Sequence, residues 1–446
     1  MRAQPGGAEA GEGFARHVVP WLFGLAPVLL VAFTWSPSGA WSQAELNVRA
    51  FTLPVIGAEL FAIAVALREG LIGAMRQWRW PRTVVVAAAL LLAIAVATAA
   101  TAPSRIGAIV LTAYWIIHAL FALAMAHLAA RVFAPSDLVR ALLAGFAVFA
   151  IAFFAYLAAI PDWRSFDWKY GFMAFSHIRH AGYYLGAMAA LGLGAMAVAG
   201  RSGARIAALL LASLAFGMAL WTGSRGAALA VVGSLAVGIV LFPALRAARA
   251  WGAALAGMAA AVAIVWVAPA APSNMMGLTR AVQQTTGGDV TTGRTTIWKN
   301  VIHAIEKRPA FGYGEGQMST VAPSWNLAQP HDSILQFALS WGLVGLLCAA
   351  VLAAAYLARA IPTARREGGA LIPAFMAMTA IAILSLYDAS LYYALPQSIF
   401  FACAGVIASR WGVEGRSADR SASRRATARG ARSSRSATAA SASSPP

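Results

Sequence analysis

The chain has 446 residues, of which 60% are hydrophobic and 11% charged, whereas soluble globular domains carry about 25% charged residues. An ordinary soluble protein is excluded, and the chain reads as an integral membrane protein. The net charge of +18 follows the positive-inside pattern of a membrane protein better than a nucleic-acid footprint, so no nucleic-acid partner is expected.

Apolar runs recur from the N-terminus onward, each long enough at 1.5 Å per residue to cross a hydrocarbon core of about 30 Å, some only with local thinning. Twelve spans are expected, near 18–35, 51–67, 83–102, 106–126, 139–159, 180–198, 206–221, 227–242, 250–268, 333–357, 370–386 and 394–409. With the N-terminus in the cytoplasm, 23 of the 34 basic residues fall on the cytoplasmic side, which sets the orientation with both termini inside. Residues 1–268 thus hold spans one to nine, 269–332 form a large periplasmic loop, 333–409 hold spans ten to twelve, and 410–446 form a basic tail. That tail, mainly Ser, Ala and Arg, has no apolar periodicity and is expected to be disordered against an anionic cytoplasmic leaflet. Cys348 and Cys403 lie inside spans, and no disulfide is expected.

The first five spans are rich in Ala, Leu and Val and read as scaffold helices packed through small residues, with His118 and His127 as packing residues. The loop 160–179 interleaves aromatic and charged residues, as at a membrane interface. It ends in His177-Ile178-Arg179-His180, three ionisable side chains where the chain re-enters the bilayer and desolvated charge is expensive, which points to a site. The tight turn Thr222-Gly223-Ser224-Arg225-Gly226 between spans seven and eight holds Arg225 at the outer boundary. A guanidinium there can clamp phosphate oxygens with two parallel hydrogen bonds.

Within the large loop, Ile297, Trp298, Val301, Ile302 and Ile305 share one face of a helix that Thr291 or Thr292 can cap and Pro309 ends. It is expected on the outer surface. Arg294 falls in its first turn, where a positive side chain opposes the helix dipole unless it binds an anion. The stretch Phe311-Gly312-Tyr313-Gly314-Glu315-Gly316 lacks phosphate-loop spacing and reads as a flexible connector. His331 follows Pro330 and opens the tenth span. The positive end of the helix dipole disfavours a second positive charge there, so a neutral imidazole able to accept a proton is expected.

His331-Asp332, nine residues, Gly342, two residues and Gly345, together with Thr222-Gly223-Ser224-Arg225-Gly226 and Gly293-Arg294-Thr295-Thr296-Ile297-Trp298, resemble the O-antigen ligase and O-antigen polymerase superfamily of bacterial inner membranes. The resemblance runs from about Arg179 to Gly345. It implies an all-α, GT-C-like membrane glycosyltransferase of about 12 transmembrane helices, with one large periplasmic loop between spans nine and ten. The implied reaction is metal-independent and inverting, needs no cofactor, and moves a glycan from undecaprenyl diphosphate to lipid A-core among the lipids of the outer leaflet. His331 would be the base, and Arg225, Arg179 and Arg294 the ligands of the donor diphosphate. His180 and Asp332 are further candidates; at Asp332 the ligase pattern more often has Asn, Ser or Gln. O-antigen polymerase and protein O-oligosaccharyltransferase remain open alternatives within the superfamily. An anionic-lipid transporter or flippase is the alternative of another class, and it would be expected to carry ionisable groups near mid-membrane on broken helices.

Overall fold

The computed structural model describes residues 6–35, 53–78, 80–162, 165–168, 174–175, 177–267, 293–323 and 329–411. Among them the chain is all helix, with no strand. In order the helices are α1 Gly6–Thr34, α2 Leu53–Arg68, α3 Leu71–Gln77, α4 Arg82–Thr101, α5 Arg105–Arg131, α6 Pro135–Ala159, α7 Ile178–Val198, α8 Ser202–Trp221 and α9 Arg225–Leu241. They continue with α10 Pro243–Arg246, α11 Ala248–Val267, α12 Arg294–Lys307, α13 Met318–Val321, α14 Ser333–Glu367, α15 Leu371–Ser385 and α16 Ala394–Ala408. Each of the twelve apolar stretches read from the sequence coincides with one of these helices. Among the described residues, six helices are long and apolar enough, by length and composition, to cross a membrane: Arg82–Thr101, Arg105–Arg131, Pro135–Ala159, His180–Val198, Ser202–Trp221 and Ser333–Glu367. The chain is a multi-pass membrane protein.

The helix α7 is the hub. In its most apolar window 83% of residues are buried inside the protein, against 22–50% in the other five long helices, and it packs on α8, α9 and α15. On its far side α1 packs on α6, while α5 gathers α2, α4 and α16. The two histidines of α5 are satisfied in this packing. His118 Nδ1 lies 2.8 Å from Glu59 Oε1, both side chains being fully buried, and His127 Nε2 lies 2.9 Å from the Glu69 carbonyl. Cys348 and Cys403 are buried free thiols.

The helix α14 is broken near its N-terminal end. Gly342 has φ 67° and ψ −177° inside an otherwise helical run, a backbone conformation that favours glycine. A Cβ there would sit 2.1 Å from the Ala310 carbonyl oxygen. The break leaves backbone groups that the first loop after α12 takes up. Leu343 and Val344 donate to the carbonyls of Pro309 and Ala310 at 2.7 and 3.2 Å, and Tyr313 and Gly314 donate to those of Leu339 and Ser340 at 2.9 and 2.8 Å. The glycine-rich stretch 311–316, expected as a flexible connector, is therefore fixed backbone to backbone against the first half of α14, while 309–310 just before it hold the second half.

The expected amphipathic helix is α12. It buries Ile297, Val301, Ala304 and Ile305 against Met318, Ala338 and Leu339. Ile302 is 45% exposed and does not share that face; Ala304 takes its place. Gly293, with φ 80°, stands at the N-cap without a side-chain bond, while Thr291, Thr292 and the rest of 269–292 lie outside the described residues. So do 412–446 of the basic tail and much of 160–179.

Candidate active site

The site is assembled at one end of the bundle from the starts of α7, α9, α12 and α14 and from the connection 386–393 between α15 and α16. His331 has φ 55°, an uncommon conformation for a residue with a side chain, of order 1–3 kcal/mol in strain. Its neighbours hold it there. Trp298 Nε1 donates to the Pro330 carbonyl at 3.0 Å. On the other side Asp332 is extended and caps α14, its Oδ1 accepting from the N–H groups of Ile334 and Leu335 at 2.8 and 2.9 Å. Asp332 is thereby turned toward the helix end, and His331 toward the 386–393 connection.

There His331 Nδ1 meets Asp388 Oδ1 at 2.8 Å. The same carboxylate oxygen accepts from Ala389 N–H at 2.9 Å, and Oδ2 accepts from Arg294 Nη2 at 3.2 Å. Burial alone pushes the Asp388 carboxyl up, but the hydrogen bond and charge of His331, the charge of Arg294 and a hydrogen bond from Tyr183 outweigh it and hold the carboxyl well below its usual range. Asp388 is thus an anion and only accepts. Nδ1 of His331 must carry the proton between them, which in a neutral ring leaves the lone pair on Nε2. Nε2 has no hydrogen-bond partner among the described residues.

Arg294 also donates through Nη1 to the Tyr387 carbonyl. The anion expected to offset its place in the first turn of α12 is, in this structure, Asp388. Trp298 lies four residues on, so both residues project from one side of α12, Trp298 holding the chain just before His331 and Arg294 the carboxylate that His331 meets. Tyr387 continues the network: its hydroxyl donates to the Gly226 carbonyl at 2.6 Å. A Cβ on Gly226 would stand 2.9 Å from Leu384 and 3.0 Å from the Tyr387 ring, so a side chain there would crowd this approach. The partly buried Arg225 therefore starts α9 directly beside the residue that precedes Asp388.

His180 lies further along the same surface. Its Nε2 is 3.0 Å from the Tyr393 hydroxyl, which accepts from Gln329 Nε2 at 2.9 Å, and the His180 and Tyr393 rings are 4.2 Å apart. Burial pushes the Tyr393 phenol well up, so it stays protonated and can donate to His180. Arg179 precedes His180 in α7; its side chain lies outside the described residues. The structure thus brings His331, Arg294 and the Arg225 turn around Asp388, and links His180 to them through Tyr393 and Gln329.

Sequence reading missed Asp388, Tyr387, Tyr393 and Tyr183. A signal was available. Asp388 is the only acidic residue between Glu367 and Glu414, in a Tyr-rich break between two apolar helices, and a charge so placed marks a functional position. Among the described residues, no group of three or more His, Cys, Asp and Glu side chains gathers as a metal centre would require.

Residues 207–350 match the model of the O-antigen ligase family, which supports a place in the O-antigen ligase and polymerase superfamily. The matched stretch contains Arg225, Arg294, His331 and Asp332, and leaves out Arg179, His180 and Asp388. No curated protein matches the chain.

Proposed function

We propose that the protein is an inverting, metal-independent glycosyltransferase that moves an O-antigen glycan from undecaprenyl diphosphate to lipid A-core on the periplasmic face of the bacterial inner membrane. The observation that carries this reading is the Asp388–His331 pair at 2.8 Å, with Arg294 on the same carboxylate. A carboxylate that orients an imidazole by Nδ1 prepares Nε2 to take a proton from an attacking hydroxyl. The acceptor oxygen attacks the anomeric carbon on the face opposite the diphosphate. Its proton passes to Nε2, the bond from that carbon to the diphosphate oxygen breaks, and the electron pair leaves with the diphosphate. Configuration inverts in this single displacement.

The departing diphosphate gathers negative charge, and guanidinium groups aimed at it lower the barrier without a metal. Arg225 and Arg179 serve that role in this reading. Arg294 serves it with the donors left after Tyr387 and Asp388. His180 stays a secondary candidate on the same surface, and Asp332 is given the structural task of capping α14. In this topology both termini are cytoplasmic and 269–332 is periplasmic, so the site faces the lipid-linked donor in the outer leaflet.

One feature favours transport: α14 is a broken helix, as in many carriers. In carriers the freed backbone groups face the cargo, whereas here the 309–314 stretch occupies them, which weighs against that reading. The test is to give the purified protein a lipid-diphosphate glycan together with lipid A-core, in the presence of EDTA. A joined glycolipid is expected. Lengthened lipid-linked glycan instead would assign a polymerase, glycan on an added acceptor protein a protein glycosyltransferase, and intact donor moved across proteoliposomes a flippase.

A further inference from the structure

A second buried polar cluster lies near Tyr392 of the 386–393 connection. Glu315 is 1% exposed and Gln336 2%. Gln336 Nε2 donates to Glu315 Oε1 at 3.1 Å and to Ser340 Oγ at 3.0 Å. Glu315 Oε2 and Gln336 Oε1 are both buried with no hydrogen-bond partner among the described residues, an expensive state for two acceptors on a pair of side chains already in contact. A single proton on Glu315 removes both defects, because a carboxylic acid facing a primary amide forms a paired ring, N–H to one carboxyl oxygen and O–H back to the amide oxygen.

The two residues join elements that matter to the site. Gln336 stands in the first half of α14, the short helix 333–341 that ends at the Gly342 break and begins at Asp332, directly after His331. Glu315 stands in the loop fixed to that break, and the next side chain but one anchors the loop elsewhere. Gln317 Oε1 accepts from Ser104 N–H at 2.7 Å, and its Nε2 donates to the Ser104 carbonyl at 3.2 Å.

We propose that Glu315 is a positioning residue for transfer: as a neutral acid paired with the Gln336 amide, it locks the half-helix 333–341, and with it His331, against the loop anchored at Ser104. This rests on the glycosyl-transfer reading for its consequence in catalysis, though the tether itself does not. Burial pushes the Glu315 carboxyl up to about 7, against partial offsets from Gln336, Ser340 and the Gly316 N–H. The elements around it bring little other charge. Tyr392 is the titratable neighbour, its phenol raised by burial and by Glu315; α4 and α5 bring Thr98, Ala102 and Leu111 to the flanking glycines. Because the folded value lies above the ordinary 4.5, the tether is fully present below about pH 4.5 and is lost as pH rises through about 7. Ionisation would set a carboxylate against the Gln336 carbonyl oxygen and loosen the half-helix.

The test compares wild type with Glu315→Gln, whose amide keeps the paired bonds without a proton to lose. The wild-type to variant ratio of kcat should fall by about tenfold between pH 6 and 8, as expected for one group titrating near 7, with KM for the donor unchanged; taking the ratio cancels any pH dependence that the two proteins share. A ratio that stays flat overturns the proposal. Hydrogen exchange gives a readout free of activity. The Tyr313 and Gly314 amides should exchange alike in the two proteins at pH 6 and faster in wild type at pH 8. Exchange that matches at both pH values overturns the tether whatever the transfer shows, while differing exchange without transfer in either protein counts against the glycosyl-transfer reading alone. If Glu315→Gln does not insert, Gln336→Ala takes its place, and wild-type kcat in that variant also overturns the proposal.

Discussion

Asp388 and His331 are 57 positions apart in the chain and 2.8 Å apart in space, and the pairing fixes which imidazole nitrogen is available. The carboxylate takes Nδ1–H, so Nε2 is left to meet a substrate. Replacing Asp388 with Asn removes the charge and lets the side chain present an N–H as readily as an oxygen, which permits the opposite tautomer. Transfer by Asp388→Asn should fall by about 10²–10⁴-fold, the usual worth of positioned acid–base catalysis, mostly in kcat. Steady-state kinetics on purified protein would show it, and a change confined to KM would mean that Asp388 only shapes the donor pocket.

The imidazole itself is the next test. His331→Ala should insert normally yet lose transfer by about 10²–10⁴-fold, with binding of the lipid-linked donor changed far less. Asn tolerates a positive φ better than most residues, so His331→Asn keeps the backbone turn while removing the base. Near-normal transfer by His331→Asn would take the histidine out of the mechanism.

Arg294 has a structural share in Asp388 as well as its proposed share in the diphosphate. Arg294→Ala leaves a largely buried carboxylate short of one charged donor, a loss of about 1–3 kcal/mol in stability. The sign with pH follows from a depressed carboxyl. The stabilisation is present above the ordinary 3.8 and is lost only as pH falls well below it. The deficit of Arg294→Ala should therefore be constant between pH 5 and 8 in thermal-aggregation measurements. A deficit that vanishes within that range would show that Asp388 is not ionised there.

The helices were legible because hydropathy is local: every apolar stretch read from the chain is a helix in the fold. The break in α14 was not, since Gly342 sits in a mainly apolar run and the backbone that leaves no room for a side chain there belongs to Ala310, 32 positions earlier. The loop 311–316 was misjudged for the same reason, its hydrogen-bond partners being carbonyls that only the break exposes. Among the candidate site residues, Arg225, Arg294 and His331 stood out as polar groups at helix starts. Asp388 stood in a short connection with no motif around it, and its importance comes from tertiary pairing with two residues on other elements. Ile302 was assigned to the buried face by periodicity alone, and the packing of Met318 and Leu339 selects Ala304 instead.

The proposed topology is checked by thiol labelling. Both native cysteines are buried, so background from them should be low. A reagent that cannot cross the inner membrane should reach Gly288→Cys in cells with a permeable outer membrane and miss Ser421→Cys. The reverse result would place the site on the wrong side of the membrane for a donor in the outer leaflet.

Arg225 offers the sharpest separation between a ligand of the diphosphate and an interfacial anchor. It starts α9 beside Gly226, whose carbonyl receives the Tyr387 hydroxyl, so the turn that carries it is tied to the residue before Asp388. A guanidinium presents two parallel donors to a phosphate, whereas a lysine ammonium presents a point charge on a flexible stem. Charge alone, or anchoring at the headgroups, would survive Arg225→Lys. Paired recognition would not: loss of a charge-assisted hydrogen bond of about 1.5–3 kcal/mol corresponds to roughly a 10- to 150-fold weaker grip on the donor or its leaving group. Donor binding and kcat should fall together in Arg225→Lys and further in Arg225→Ala, while His331→Ala loses kcat alone. Wild-type binding and turnover in the lysine variant would reduce Arg225 to an anchor and move the diphosphate to Arg179 and Arg294.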